Sequence, residues 1–152
     1  AAVEHAARAN PALTWVVANA DRRLPLLDAS VSVILSMHGR RNPEECARVL
    51  APGGCLIVVV PAPEDLIELR TAVQGTGVER DRVEALITAH GSLFDVVSRE
   101  SVTERHHLAA DALGDLLKIT YRGARHGEAP AVRGLEGMDV TFASELVVFN
   151  RR

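Results

Sequence analysis

The sequence predicts an α/β domain with a doubly wound, largely parallel sheet, and three observations carry that expectation. Leu13–Ala20, Val31–His38 and Cys55–Ala62 are short apolar runs without polar alternation, the pattern of strands covered on both faces. Between the last two, "NPEECARVL" (residues 42–50) reads as a helix, the crossover that parallel strands require. A double glycine, Gly53-Gly54, then closes that helix and passes the chain into the third run, glycine being able to take the positive φ that a helix end often needs.

Taken in order, "AAVEHAARAN" is an Ala-rich amphipathic helix that stops at Asn10-Pro11. It begins at Ala1 with no N-cap ahead of it, so an upstream segment is expected. "DRRLPLLDAS" is a polar, proline-containing loop between the first two strands, and Gly39 ends the second. In the crossover helix Asn42 is the N-cap, Pro43 takes the favoured first position, and Glu44 and Glu45 complement the dipole. Beyond Pro63, "PEDLIELRTAVQ" and "TGVERDRVEALITAH" read as helices, the second closed by Gly91. "LFDVVSRESVTE" is a strand candidate and "AADALGDLLKIT" a short helix with Leu113, Leu116 and Leu117 in one stripe. "YRGARHGEAPAVRG" is a Gly-rich basic loop, and "DVTFASELVVFNRR" is a late strand.

With 152 residues, 47% of them hydrophobic, the chain has the material for a single core. Seventeen Lys and Arg stand against 20 Asp and Glu, so the net charge of -3 supplies no global field for a polyanion; any RNA contact must use a local basic face, and DNA is not expected as a partner. Aromatic residues make up only 3%, too few for a surface that stacks successive bases. The two cysteines, Cys46 and Cys55, lie inside expected regular structure, and no apolar run approaches the roughly 18 residues of a membrane span. Reduced, buried thiols in a cytoplasmic protein, with no membrane partner, are the economical expectation.

The order of strand with "NAD", loop with "LPLLDASVSVIL", helix and "RVLAPGGCLIVVVP" resembles the second half of a class I S-adenosylmethionine-dependent methyltransferase. Further on, "PAPEDLIELR", "LLKITYRGAR" and "VTFASELVVFNRR" are similar, in order and spacing, to the C-terminal part of bacterial 23S ribosomal RNA (guanine-N1) methyltransferases. The resemblance implies a Rossmann-like sheet, mostly parallel with an antiparallel last strand and lacking its first strands. It also implies a partial methyltransferase domain over residues 1–152, with a cofactor half at 1–62 and a substrate-side half at 63–152. S-adenosyl-L-methionine is the implied cofactor and 23S ribosomal RNA the implied partner. Two family features are missing from these residues: the zinc module, and the first strand with its Gly-rich loop for the methionine end of the cofactor. Asp65 also stands where the family usually has His.

Methyl transfer from a sulfonium needs alignment and exclusion of water more than covalent help, while guanine N1 carries a proton that an acceptor should relieve. Asn19, Ala20 and Asp21 follow a parallel strand at its carboxyl end, where open α/β sheets bind ligands. By resemblance Asp21 accepts from the adenine amine and Ala20 offers its backbone; equally, Asp21 caps a turn. Ser36, Met37 and His38 end the next strand and are the remaining cofactor candidates, although a strand-end histidine is often only a satisfied polar group. Asp65 opens a helix after the third strand and is the acid–base candidate, a position the helix dipole also favours without catalysis. Arg40, Arg41, Arg122 and Arg125 are candidates to grip phosphates, with Pro61 beside them and Tyr121 stacking on a splayed base. No metal site is expected: His106 and His107 are adjacent, and Cys46 has no partner at ligand spacing. Two other functions remain open, a small-molecule methyltransferase and a non-catalytic piece that dimerises through an exposed sheet edge.

Overall fold

In the computed structural model, which describes residues 2–74, 81–119 and 136–152, four strands form one sheet among the described residues. They are β1 (Val31–Met37), β2 (Leu50–Pro61), β3 (Phe94–Ala109) and β4 (Gly137–Arg151), in the order β1-β2-β4-β3. The helices are α1 (Ala2–Ala9), α2 (Pro43–Val49), α3 (Ile67–Gln74), α4 (Val83–His90) and α5 (Ala110–Ile119).

β1 and β2 run parallel, from Val33↔Cys55 to Met37↔Val59, and α2 is the crossover between them, as expected. β4, the last strand, lies antiparallel to β2, with Val58 opposite Val147, and β3 completes the mixed sheet antiparallel to β4. Asn42 caps α2 through its side-chain oxygen, which accepts from the amides of Glu44 and Glu45, and Pro43 holds the first turn where its missing N–H costs nothing.

Two expectations about local structure are corrected. Leu13–Ala20 forms no strand: the segment holds to the turn before it, where Leu13 N–H and Trp15 Nε1–H both donate to the Asn10 carbonyl, while Leu13, Val16 and Val17 stay exposed. An apolar run supplies side chains for burial, but a strand exists only where a neighbour satisfies its backbone, and among the described residues none pairs with this segment. The double glycine, in turn, does not close the helix. α2 ends at Val49 and Leu50 already pairs with Val31, after which the register jumps to Val33↔Cys55. Ala51–Gly54 is therefore an outward bulge within β2. Gly53 takes φ +75 and lets the bulge turn, while a Cβ on Gly54 would stand 2.9 Å from the Ser32 carbonyl oxygen, so Gly54 serves the close approach of the two strands.

Side-chain alternation along β4 separates two cores. Val147 and Phe149 join Leu56, Val58, Phe94 and the α2 and α4 residues Cys46, Ala47, Val83 and Leu86 on one face. Val140, flanked by Met138 and Phe142, packs with Leu69 of α3 and with Leu113 and Leu117 of α5. Odd and even positions of one continuous strand point to opposite faces, so helices cover both sides of the sheet. The Leu113–Leu117 stripe read from the sequence is buried as expected, with Leu116 partly so.

Candidate functional site

At the carboxyl ends of β1 and β2 the chain opens a cleft of about 500 Å³ between the start of α2 and the flank of α4. Its near wall begins where β1 stops. His38 has φ 49, a left-handed conformation that is uncommon for a residue with a Cβ, and it turns the backbone out of the strand towards Gly39, Arg40 and Arg41. Its N–H still donates to the Val59 carbonyl at 2.9 Å, and its ring Nε2 lies 3.2 Å from Ser144 Oγ, a tie from β1 to β4 across the end of β2. Val60 and Pro61 form the floor.

Asp21 reaches the mouth from the loop before β1. Asn19 Oδ1 accepts its N–H at 2.9 Å, an Asx turn that sets the loop, and Asp21 Oδ2 pairs with Arg40 Nη1 at 2.6 Å. Both side chains are well exposed, so this ion pair orients the loop more than it stabilises the fold. Arg41 turns inward. Its Nη1 donates to the Gly39 carbonyl at 3.0 Å, its Nε is buried with no hydrogen-bond partner among the described residues, and burial lowers its pKa.

The far wall is α4, which contributes Ala85, Leu86, Ala89 and His90, with Arg82 just ahead of it. His90 is only 2% exposed and stacks on Phe149 at 5.2 Å, with Phe94 at 5.9 Å. A carbonyl only accepts, so the 2.8 Å contact of His90 Nδ1 with Leu86 O puts the ring proton on Nδ1 and leaves Nε2 as an acceptor. Nε2 has no partner among the described residues, and burial pushes the His90 pKa down, helped by the nearby charge of Arg41.

Of the residues singled out in the sequence, Asp21, His38, Arg40, Arg41 and Pro61 line this one cleft. Asn19 and Ala20 lie in the adjoining turn, and Ser36 and Met37 precede the cleft in β1, Met37 being 64% exposed on the sheet edge. Asp65 does not line it. It lies in the turn ahead of α3 and does not open that helix; its Oδ1 accepts the Ala143 amide at 3.0 Å. Tyr121, Arg122 and Arg125 lie outside the described residues. The α4 wall went unread, although positions 82, 85, 86, 89 and 90 follow the three-and-four spacing of one helix face, with alanines where the cleft needs room.

His106 and His107 are engaged separately, Nε2 with Glu104 at 3.0 Å and Nδ1 with Asp139 at 2.9 Å. Among the described residues no group of three or more His, Cys, Asp or Glu is placed to hold a metal ion, and no helix is long and apolar enough to cross a membrane. The cleft thus offers cations at its mouth and apolar walls, with the Arg41 and His90 side chains partly or wholly buried among its lining residues.

No protein-family model matches the chain. It is 36% identical over 118 residues to a 23S rRNA (guanine(748)-N(1))-methyltransferase of Streptomyces fradiae, a match covering 78% of this chain and 42% of that protein. It is 46% identical over 68 residues to a Micromonospora griseorubida protein described as a candidate 23S rRNA (guanine-N(1)-)-methyltransferase, over 45% of this chain and 23% of that one. The chain therefore spans less than half the length of either relative. Among solved structures, the [4+2]-cyclase SpnF superposes with TM-score 0.61 at 18% identity over 97% of this chain and 62% of its own. A candidate methyltransferase of Bacillus halodurans C-125 gives 0.55 at 12% identity, over 88% and 69%. At such identities the likeness concerns the fold, and a cyclase among the neighbours illustrates that one fold hosts several chemistries. The mixed sheet is thus shared with these solved structures, and in sequence the chain is similar to 23S rRNA guanine-N1 methyltransferases over part of their length.

Proposed function

We propose that the protein to which these residues belong methylates guanine N1 in 23S ribosomal RNA with S-adenosyl-L-methionine as donor. The 36% identity over 118 residues to the Streptomyces fradiae enzyme carries this reading, and the gathering of five sequence-selected residues around one cleft supports it. Residues 1–62 supply the cofactor side and 63–152 the substrate side. In this reading Asn19, Ala20, Asp21 and the strand end at Ser36, Met37 and His38 hold the adenine and ribose portion.

The groups present fit that portion of the donor: a carboxylate held at the mouth by Arg40, beside an open turn at His38–Gly39. When bound, the cofactor supplies an activated methyl group. The chain's own residues orient the acceptor, keep water from it and neutralise the RNA backbone, the last through Arg40 and Arg41 with Tyr121, Arg122 and Arg125. Asp65, already engaged with the Ala143 amide, serves there as a positioning residue.

A cytoplasmic location follows from the ribosomal substrate. The exposed outer edge of β1, with Val33, Leu35 and Met37 each more than half exposed, is the surface through which a second strand, of this protein or of another copy, is expected to pair.

The test is transfer of labelled methyl from S-adenosylmethionine to a 23S RNA transcript by the longer protein, with the modified position read as a primer-extension stop. A stop at a guanine, lost when that guanine is replaced, supports the reading. Methylation of free small molecules with no RNA product overturns it.

A further inference from the structure

The chain leaves both parallel strands through a residue in the left-handed backbone region, His38 (φ 49) after β1 and Leu66 (φ 53) in the turn after β2. A residue with a Cβ adopts that conformation at a cost and keeps it only where the surroundings over-determine it. Both turns are tied to one short stretch of β4. Leu66 N–H donates to the Thr141 carbonyl, Ala62 N–H donates to that of Ala143, and Asp65 Oδ1 accepts the Ala143 amide. The next residue, Ser144, brings its Oγ to 3.2 Å from His38 Nε2, while the Val59 carbonyl accepts the His38 N–H. Ala143 and Ser144 thus hold the turn after β2 through backbone groups and the turn after β1 through a hydroxyl.

Ser144 is a firm anchor. It pairs with Pro61 on one side and Val102 on the other, and its neighbours Ala143 and Glu145 are buried, so its backbone is held on every side. A hydroxyl both donates and accepts, and so meets the imidazole in either tautomer. Beyond His38 the chain runs directly into Gly39, Arg40 and Arg41, which line the cleft, and relaxation of His38 to an ordinary conformation would redirect all three. Methyl transfer needs donor and acceptor in line, and small displacements set up away from the reacting atoms are costly. Resting on the methyltransferase reading, we propose that Ser144 is a positioning residue: through the His38 ring it holds the turn after β1 in the shape that receives the cofactor, in fixed relation to the turn after β2.

The experiment is calorimetric titration of the longer protein with S-adenosylhomocysteine. Ser144→Ala should weaken binding about three- to tenfold, the scale of one hydrogen bond, and Ser144→Thr, which keeps the hydroxyl on a strand that favours β-branched residues, should restore it. The urea midpoint should not move, because the strain released at His38 offsets the lost contact in the unligated protein. In steady-state methylation the KM for S-adenosylmethionine should rise in Ser144→Ala while the KM for RNA stays. Isotope-labelled histidine reads the contact itself: the His38 ring resonance, assigned by its absence from His38→Asn, should shift in Ser144→Ala and return in Ser144→Thr. Unchanged affinity or an unshifted ring in Ser144→Ala overturns the proposal. So does a loss that Ser144→Thr leaves in place, or one matched by a lowered urea midpoint, since either makes Ser144 a packing residue only. A wild type that binds no S-adenosylhomocysteine sinks the methyltransferase reading and this role with it, whereas binding that ignores Ser144 sinks the role alone.

Discussion

Asp65 Oδ1 accepts the backbone N–H of Ala143 at 3.0 Å, and so the carboxylate selected from the sequence as an acid–base candidate fastens the turn after β2 to the neighbouring strand β4. Ala62 N–H donates to the same residue's carbonyl and Leu66 N–H to that of Thr141, making a three-point seam. Removing the carboxylate leaves one amide of that seam without an acceptor. Asp65→Ala should cost about 1 kcal/mol in urea unfolding, and Asp65→Asn, which keeps the acceptor, much less. Loss of methyl transfer in Asp65→Asn at unchanged stability would instead make Asp65 a participant in the chemistry.

At Gly54 the backbone of β1 stands close to β2. A methyl group there would meet the Ser32 and Ala51 carbonyl oxygens and Leu50 Cδ2 at 2.9 to 3.0 Å, two of the three being backbone. Gly54→Ala should destabilise the chain by about 1–3 kcal/mol, the usual range for forced overpacking, seen as a lowered denaturation midpoint. Gly53→Ala should cost through its positive φ rather than through contact, since nothing lies within 4 Å of the added carbon.

Glu45 binds Arg48 side chain to side chain and accepts the Leu24 amide at 2.7 Å, which pushes its pKa down to about 2, the Arg48 hydrogen bond acting most strongly. Between that value and the ordinary carboxylate range the unfolded chain binds the extra proton, so stability rises with pH across this window. The contribution is whole above the ordinary range and disappears as pH falls towards 2. Melting temperatures from pH 6 down to pH 2.5 should fall more steeply for the wild type than for Glu45→Gln, and parallel curves would remove Glu45 as the cause.

His90 titrates in the opposite region with the same sign. Burial lowers its folded pKa, so the unfolded chain takes the proton first as pH drops below the ordinary histidine value. Stability should therefore decline on acidification from pH 7 towards pH 5, and His90→Phe should flatten that part of the profile.

Asp21 tests the cofactor side. In the longer protein Asp21→Ala should weaken S-adenosylhomocysteine binding by about 1–2 kcal/mol through one lost hydrogen bond to a buried ligand edge, measured by calorimetry. Arg40→Gln, which removes the partner that orients Asp21 at 2.6 Å, should produce a smaller loss of the same kind. Unchanged affinity in Asp21→Ala would take this loop out of the cofactor site.

Much was legible in the residues themselves wherever the determining interaction is local. Asn42 and Pro43 start α2 because capping and ring geometry act within one turn, and the apolar runs of β2 and β4 are buried as they read, whereas β1, expected to be covered on both faces, leaves Val33, Leu35 and Met37 exposed at the sheet edge. Those same local rules placed His38 and Arg41 at the end of β1, where an α/β sheet opens a crevice, whereas Asp21, read as following a strand, reaches the cleft from a loop. Pairing is another matter. Leu13–Ala20 has the composition of a strand and, among the described residues, no strand beside it, and Gly53-Gly54 reads as a helix stop yet serves a bulge in which Gly54 lies against Ser32, some twenty residues away in the chain. Only the packing of α4 against the sheet buried His90 at the cleft and left its Nε2 without a partner among the described residues, because burial and hydrogen-bond satisfaction depend on which distant groups arrive alongside, and one-dimensional periodicity carries no record of them.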